Sequence, residues 1–307
     1  MDRYDAIVIG GGHNGLVNGA YLARGGMKTL VLEQRHLVGG AAITEELRPG
    51  FWFTTFSYAL SLLRPQIIQE LELTKHGFLP LLMSTRFAPG EDGEYLLFNR
   101  DHDETLREIA RLSPHDADGY EQYGHDLDRV CQAIRPLLDT VPPDIFSDDP
   151  EELVALAALG SRLRGLDKRT LHNAVRLLTG SAADFLDDYF ESELLKGYLA
   201  SSSIIGTKVG PRSQGSGLVL LYHNLGEHDG VFGAWAFHKG GNGGFTQVLA
   251  RAAQAFGAEI LLEAPVSTVT TSNGRATGVV LDDGTEIAGD VVVSALDPRR
   301  TFLELVN

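Results

Sequence analysis

The sequence predicts an α/β protein in which a parallel-sheet domain is split by a mixed, largely helical block. Three observations predict it. A strand–turn–helix–strand unit opens the chain, "DAIVIGGGHNGLVNGAYLARGG" followed by "KTLVLEQRHLVGG". A helical pattern fills roughly residues 101 to 200. Strand and helix signals then return and end in the apolar run "VVVSA".

In the opening unit, Ala6 to Gly10 is a short β-branched run, as a strand buried on both faces would be. Gly10-x-Gly12-x-x-Gly15 follows. Apolar residues at Leu16, Val17, Ala20, Tyr21 and Leu22 have helical spacing and stop at Gly25-Gly26. The second strand ends at Glu33, 18 residues after Gly15. Each glycine has a physical reason. Gly10 permits the tight turn, Gly12 lets the backbone approach a pyrophosphate, and Gly15 packs the helix on the strand. The helix N-terminus offers unpaired N–H groups to phosphate, and Glu33 stands where a carboxylate accepts from a ribose diol. A bare glycine motif is weak evidence, but here strand, helix, second strand and acid all accompany it. The expectation is a dinucleotide site.

After Glu33 comes "QRHLVGGAAITEE", with a second glycine pair, in place of further βα units. That layout favours FAD over a nicotinamide dinucleotide. The fold class expected is therefore a Rossmann-like FAD-binding domain of the glutathione-reductase type, split by a mixed α+β substrate domain. Residues 1–75 open the FAD-binding domain, 76–245 form the substrate domain, and 246–307 complete the first.

Further elements follow in order. Residues 50 to 68, "GFWFTTFSYALSLLRPQII", read as core, or as the wall of a flavin or apolar-substrate chamber. Residues 84 to 98 read as a hairpin around Gly-Glu-Asp-Gly. "DHDETLREIARL" opens a helix with an Asp cap, and Asp149-Pro150 opens another. "GSAADFLDDYFESELLKGYLAS" is one helix or two, with Ser181 as a cap and its acids on a solvated face. "GGFTQVLARAAQAFGA" is a helix, and hairpins turn at Asn273-Gly274 and Asp283-Gly284. Trp235 and His238 lie in a segment that could approach a flavin; a core aromatic and a strand-end histidine are the simpler readings.

Composition excludes several function classes. The chain has 307 residues, 43% of them apolar, and a net charge of −15. An acidic balance argues against nucleic-acid binding. The single cysteine, Cys131, reads as a small buried residue and permits no intrachain disulfide or Cys-x-x-Cys redox pair. Ten histidines show no metal-ligand spacing, so no metal is expected. No apolar run approaches a membrane span. The strand that begins almost at the first residue leaves a cytoplasmic address as the expectation.

Beyond these residue-level readings, "GGGHNGLV", "VLEQRHLVGGAAITEE", "PGFWFTTFSYALSLLRP", "LELTKHG", "FESELLKGYLAS", "GAWAFHKGGNGGFTQ" and "VVLDDGTEIAGDVVVSALDP" resemble the phytoene desaturase-related FAD oxidoreductases, along essentially the whole chain. The resemblance implies non-covalent FAD and flavin chemistry on an apolar small-molecule substrate. By it, Gly10, Gly12 and Gly15 hold the pyrophosphate, together with Gly11, His13 and Asn14 of the same loop. Glu33, followed by Gln34 and Arg35, holds the adenosine ribose. Gly39, Gly40 and Ala41 flank the phosphates, and Val266 meets the adenine through its backbone. Relatives often carry Arg where Ala41 stands. They also continue past "VVVSA" with more substrate domain and a segment that contacts the flavin ring. The expectation is therefore a fragment, a split protein or a chain that works with a partner.

The expected function is an FAD-dependent oxidoreductase that oxidises or desaturates an apolar substrate, with no catalytic side chain assigned. The alternative is a non-catalytic dinucleotide-binding module or one half of a split flavoprotein. Peripheral membrane contact fits a lipid substrate, although no segment demands it.

Overall fold

The computed structural model describes residues 3–228 and 230–306. It divides into two compact units, one of residues 1–82 with 235–307 and one of residues 83–234.

The first unit opens with β1 (Arg3–Ile9), α1 (His13–Arg24) and β2 (Thr29–Leu32). Two hairpin strands, β3 (Thr44–Arg48) and β4 (Phe51–Thr54), then α2 (Pro65–Glu70) and β5 (Pro80–Leu82) follow. The second unit holds β6 (Arg86–Pro89), β7 (Tyr95–Phe98), α3 (His102–Leu112), α4 (Pro114–Leu138) and α5 (Pro150–Arg164). It continues with α6 (Lys168–Thr179), α7 (Ala182–Leu186), α8 (Glu193–Ala200), α9 (Ser216–Tyr222), β8 (Glu227–His228) and β9 (Val231–Phe232). The chain re-enters the first unit with β10 (Ala236–His238), α10 (Gly241–Ala255), β11 (Glu259–Leu261), β12 (Val266–Ser272), β13 (Arg275–Leu281), β14 (Glu286–Ser294) and α11 (Pro298–Arg300).

The principal sheet has the order β11-β2-β1-β14-β13-β12. β1 runs parallel to both β2 and β14, and β11 runs parallel to β2. The last three strands form an antiparallel meander. The pleat divides the core in two. Val8 and Val31 face α1 and α10, through Leu16, Ala20, Val248 and Leu249. Ile7, Ile9, Leu30 and Leu32 face the opposite way, onto Val269, Val279 and Leu281 of the meander. Strands buried on both faces read as near-continuous apolar runs, which is why "AIVI" and "TLVL" do not alternate; the hydroxyl of buried Thr29 donates to the Met27 carbonyl at 3.0 Å. Burying a side chain such as Leu16 contributes about 1.5–3 kcal/mol.

Helix starts in the second unit follow local capping chemistry. Asp101 accepts the Glu104 N–H at 3.0 Å, Asp149 the Glu151 N–H at 2.9 Å and Ser181 the Asp184 N–H at 3.0 Å. The stretch after Ser181 is two helices, broken at 187–192. Cys131 is buried on α4, and burial pushes its thiol up to about 12.

Residues 51–58 are not core. Phe51, Trp52, Phe53, Phe56 and Tyr58 are all exposed, Phe56 at 79%. Within 50–68 only Leu60 is buried. The β3–β4 ribbon rests on the start of α10 through Thr44, whose Oγ1 accepts the Gly243 N–H at 3.0 Å, and Thr54, whose Oγ1 accepts the Asn242 N–H at 3.3 Å, while its aromatics meet solvent. Among the described residues, no helix is long and apolar enough to cross a membrane.

Candidate nucleotide site

The site is built where β1 ends. Gly10 leaves the strand at φ +100°, a left-handed conformation that glycine adopts without strain, and its N–H donates to the Leu32 carbonyl at 2.8 Å. A Cβ on Gly15 would lie 1.9 Å from the Gly10 carbonyl oxygen, so only glycine lets α1 close on the turn. A Cβ on Gly11 would fall 2.9 Å from Glu33 Cβ. Packing explains these glycines.

Packing does not explain Gly12. Its backbone is extended, at φ −70° and ψ 173°, which any residue adopts. An added Cβ would meet nothing nearer than the Gly40 Cα at 3.8 Å. The position is open, as a ligand that approaches the backbone closely would require. Directly behind it, the N-terminus of α1 has no side-chain cap and no acidic residue in its first turn. Uncapped N–H groups with the positive end of a helix dipole suit an anion. His13 and Asn14 begin this helix, and both are exposed. His13 is nonetheless crowded enough by protein that desolvation holds its imidazole below the ordinary value.

Glu33 closes the other side. Its side chain is buried, and its two oxygens accept the N–H groups of Gly11 and Arg35, each at 2.9 Å. Each oxygen keeps acceptor capacity for a hydroxyl. Gln34 is exposed beside it. The Arg35 guanidinium is paired with Glu45 at 2.6 Å. The backbone of the 263–264 turn zips onto this acid. Glu263 N–H donates to the Arg35 carbonyl at 3.0 Å and Ala264 N–H to the Glu33 carbonyl at 2.9 Å. Val266, two residues on, is thereby brought alongside and is buried.

The second glycine pair abuts the first loop. Gly39 N–H donates to the Gly11 carbonyl at 2.8 Å, and Gly39 bridges Gly12. Gly39 and Gly40 both have positive φ, at +134° and +57°. Gly40 and Ala41 are exposed, and the Ala41 carbonyl accepts the Ser57 N–H at 2.9 Å. The structure thus brings Gly10 to Gly15, Glu33 to Arg35, Gly39 to Ala41 and Val266 into one neighbourhood at the C-terminal ends of β1 and β2, where open α/β sheets bind ligands.

Some residues here carried no separate sequence signal. Ala295 N–H donates to the Ile9 carbonyl at 2.9 Å, and Leu296 Cδ2 lies 3.1 Å from where a Gly10 Cβ would stand. Asn242, almost fully buried, donates to the Ser57 carbonyl at 2.7 Å, while its Oδ1 has no hydrogen-bond partner among the described residues. His238, by contrast, lies in the segment the sequence offered as one that could approach a flavin, and it is buried as well. Its Nε2 accepts the Leu79 N–H at 3.2 Å, which leaves the proton on Nδ1, and Nδ1 has no partner among the described residues. Burial holds His238 below the ordinary imidazole value.

In the second unit, His115, Asp116 and Glu191 place ligand atoms within 4.8 Å of one another. The arrangement has a structural cause. Asp116 accepts the N–H groups of Glu191 and Ser192 at 2.8 and 2.9 Å, and Glu191 accepts the Ser113 hydroxyl at 2.7 Å.

A family described as flavin-containing amine oxidoreductase matches residues 15–300. Pyridine nucleotide-disulfide oxidoreductase domain-containing protein 2 of Rattus norvegicus is 44% identical over 318 aligned positions, covering 99% of this chain and 55% of that protein. A lycopene-forming phytoene desaturase of Pantoea ananas is 28% identical over 309 positions, covering 98% of this chain and 57% of that protein. Putrescine oxidase bound to putrescine superposes with a TM-score of 0.58 at 18% identity, over 99% of this chain and 60% of that one. The last likeness is one of fold. The chain spans little more than half the length of the curated relatives it matches.

Proposed function

This chain belongs to the family of flavin-containing amine oxidoreductases, and on that premise we propose that it binds FAD and serves as an FAD-dependent oxidoreductase on an apolar small molecule. The observation that carries the cofactor reading is Gly12. It is open, conformationally ordinary, and set before an uncapped helix N-terminus. A pyrophosphate fits that space and that polarity.

In this reading the backbone from Gly10 to Gly15 holds the pyrophosphate, with Gly39, Gly40 and Ala41 flanking it. Glu33 orients the adenosine ribose, and the Val266 backbone meets the adenine. Bound FAD supplies the acceptor for a hydride or electron pair. The chain's own residues supply position and polarity. The apolar substrate class is supported by the name of the phytoene desaturase relative, since phytoene is a hydrocarbon. It is also supported by the aromatic surface of Phe51, Trp52, Phe53, Phe56 and Tyr58. The proposal includes action in the cytoplasm, with peripheral membrane contact where the substrate resides in lipid, and completion of the substrate side by further polypeptide.

The test is to purify the chain, record its visible spectrum, denature it and identify any released cofactor. Yellow protein with about one FAD per chain is the expected result. Colourless protein that takes up neither FAD nor ADP would overturn the reading.

A further inference from the structure

The segment after β14 places a cation across the nucleotide site. β14 ends at Ser294, and Ala295 and Leu296 dock on the end of β1, against Ile9 and Gly10. A tight turn follows. Asp297 accepts the Arg300 N–H at 3.0 Å, and Thr301 Oγ1 bonds both the Asp297 carbonyl, at 3.0 Å, and Ser294 Oγ, at 2.7 Å. These bonds fix the backbone from which the Arg300 side chain departs. That side chain starts on the β14 side of β1 and reaches Gln34, which follows β2 on the other side, with Nη2 3.5 Å from Gln34 Oε1. The path therefore runs over the C-terminal end of the central strand, the place where an open α/β sheet receives its ligand.

The end of the site it reaches is defined by its neighbours. Gln34 adjoins Glu33, and the Ala264–Glu33 backbone bond brings Val266 alongside. The other guanidinium here, Arg35, is held by Glu45 at 2.6 Å. The Arg300 guanidinium has only the 3.5 Å contact, at the long limit of a hydrogen bond, among the described residues. It can reorient without breaking a strong bond. A planar guanidinium stacks on an aromatic face, and a purine offers one.

We propose that Arg300 is a positioning residue for the adenosine end of the bound dinucleotide, its guanidinium closing over the purine beside Gln34. The assignment rests on the FAD reading above. It gives the meander side of the sheet a direct hold on a ligand otherwise gripped by β1, α1 and β2.

The experiment titrates FAD, ADP and FMN by fluorescence and calorimetry against the wild-type chain, R300A and R300K. Arg300 is half-exposed and its side chain makes no strong contact, so the ligand-free variants melt with the wild type. R300A is expected to weaken FAD and ADP alike by about fivefold to tenfold, while FMN, which lacks adenosine, is unchanged. R300K keeps the charge without the plane and weakens both to nearly the same extent. FAD and ADP affinities for R300A within about twofold of wild type would overturn the proposal, as would R300K matching wild type. An equal loss for FMN would overturn the adenosine assignment. A wild-type chain that binds neither FAD nor ADP would overturn the dinucleotide reading itself and this assignment with it.

Discussion

The Glu33 carboxylate accepts the Gly11 backbone N–H at 2.9 Å, so one buried acid ties the phosphate loop to the end of β2. Its other oxygen holds the Arg35 N–H. Glu33→Ala leaves two backbone donors without their acceptor. The expected loss is about 1–3 kcal/mol of stability, together with weakened FAD binding. Urea unfolding of the ligand-free chain checks the first part. A variant as stable as wild type would show that water replaces the carboxylate at no cost, and that the acid does not organise the loop.

Gly12 and Gly15 separate a ligand role from a packing role. Gly12→Ala meets only the Gly40 Cα at 3.8 Å, so its melting temperature should match wild type while FAD affinity falls by about tenfold or more. Gly15→Ala puts a methyl 1.9 Å from the Gly10 carbonyl oxygen, which the backbone must move to relieve. A loss of about 3 kcal/mol or more is expected there. Thermal melts with and without FAD decide both. Equal stability losses in the two variants would make Gly12 a packing residue.

In the second unit, Asp126 is buried on α4 and accepts Arg169 Nη2 at 2.6 Å and the Tyr189 hydroxyl at 2.7 Å. Burial alone would raise its pKa. Its hydrogen bonds from Arg169 and Tyr189 outweigh that, and the carboxyl sits below the ordinary aspartate range. A depressed folded pKa gives stability that is present above the unfolded value, near 3.9, and lost as pH falls through the folded value. Asp126→Asn should therefore melt below wild type at pH 7, with a stability loss of about 1–3 kcal/mol. The gap should narrow as pH drops below about 4. A gap that stays constant from pH 7 to pH 3 would remove the carboxylate's charge from the account.

The elements that were legible in the sequence are those that neighbours along the chain decide. The strand–loop–helix–strand unit is short-range, as are the caps at Asp101, Asp149 and Ser181. The Asn273-Gly274 turn is written in two residues that take φ of 51° and 75°. The loop glycines and Glu33 meet because β1 and β2 are adjacent, which the spacing implies. Ala295, Leu296 and Arg300 reach the same place only because β14 inserts beside β1, a pairing between residues nearly the whole chain apart. Of the two readings of residues 50–68, the core reading fails over 51–58 for a different reason. Apolar composition reports what can be buried, while burial needs a facing surface, and the β3–β4 ribbon turns Thr44 and Thr54, not its aromatics, to the start of α10.

That ribbon carries the last prediction. Trp52 is cross-strand partner to Glu46 and Phe53 to Glu45, so successive aromatics point to opposite faces, and both side chains are exposed. Exposed aromatics on a two-stranded ribbon contribute little to folding and much to association. The triple substitution Phe51→Ser, Trp52→Ser, Phe56→Ser should leave the melting temperature within about 2 °C of wild type, since no core is touched. It should lower light scattering and the binding of an apolar fluorescent dye. If these residues instead belong to a face that the rest of a longer polypeptide covers, the same variant in that longer protein should lose several degrees. Measuring both proteins separates the two cases. Equal, negligible shifts in both would mean that the ribbon is solvent-facing in either and that its aromatics serve the substrate or a surface. A large loss in the 307-residue chain alone would show that the ribbon already packs here, against what its exposure indicates.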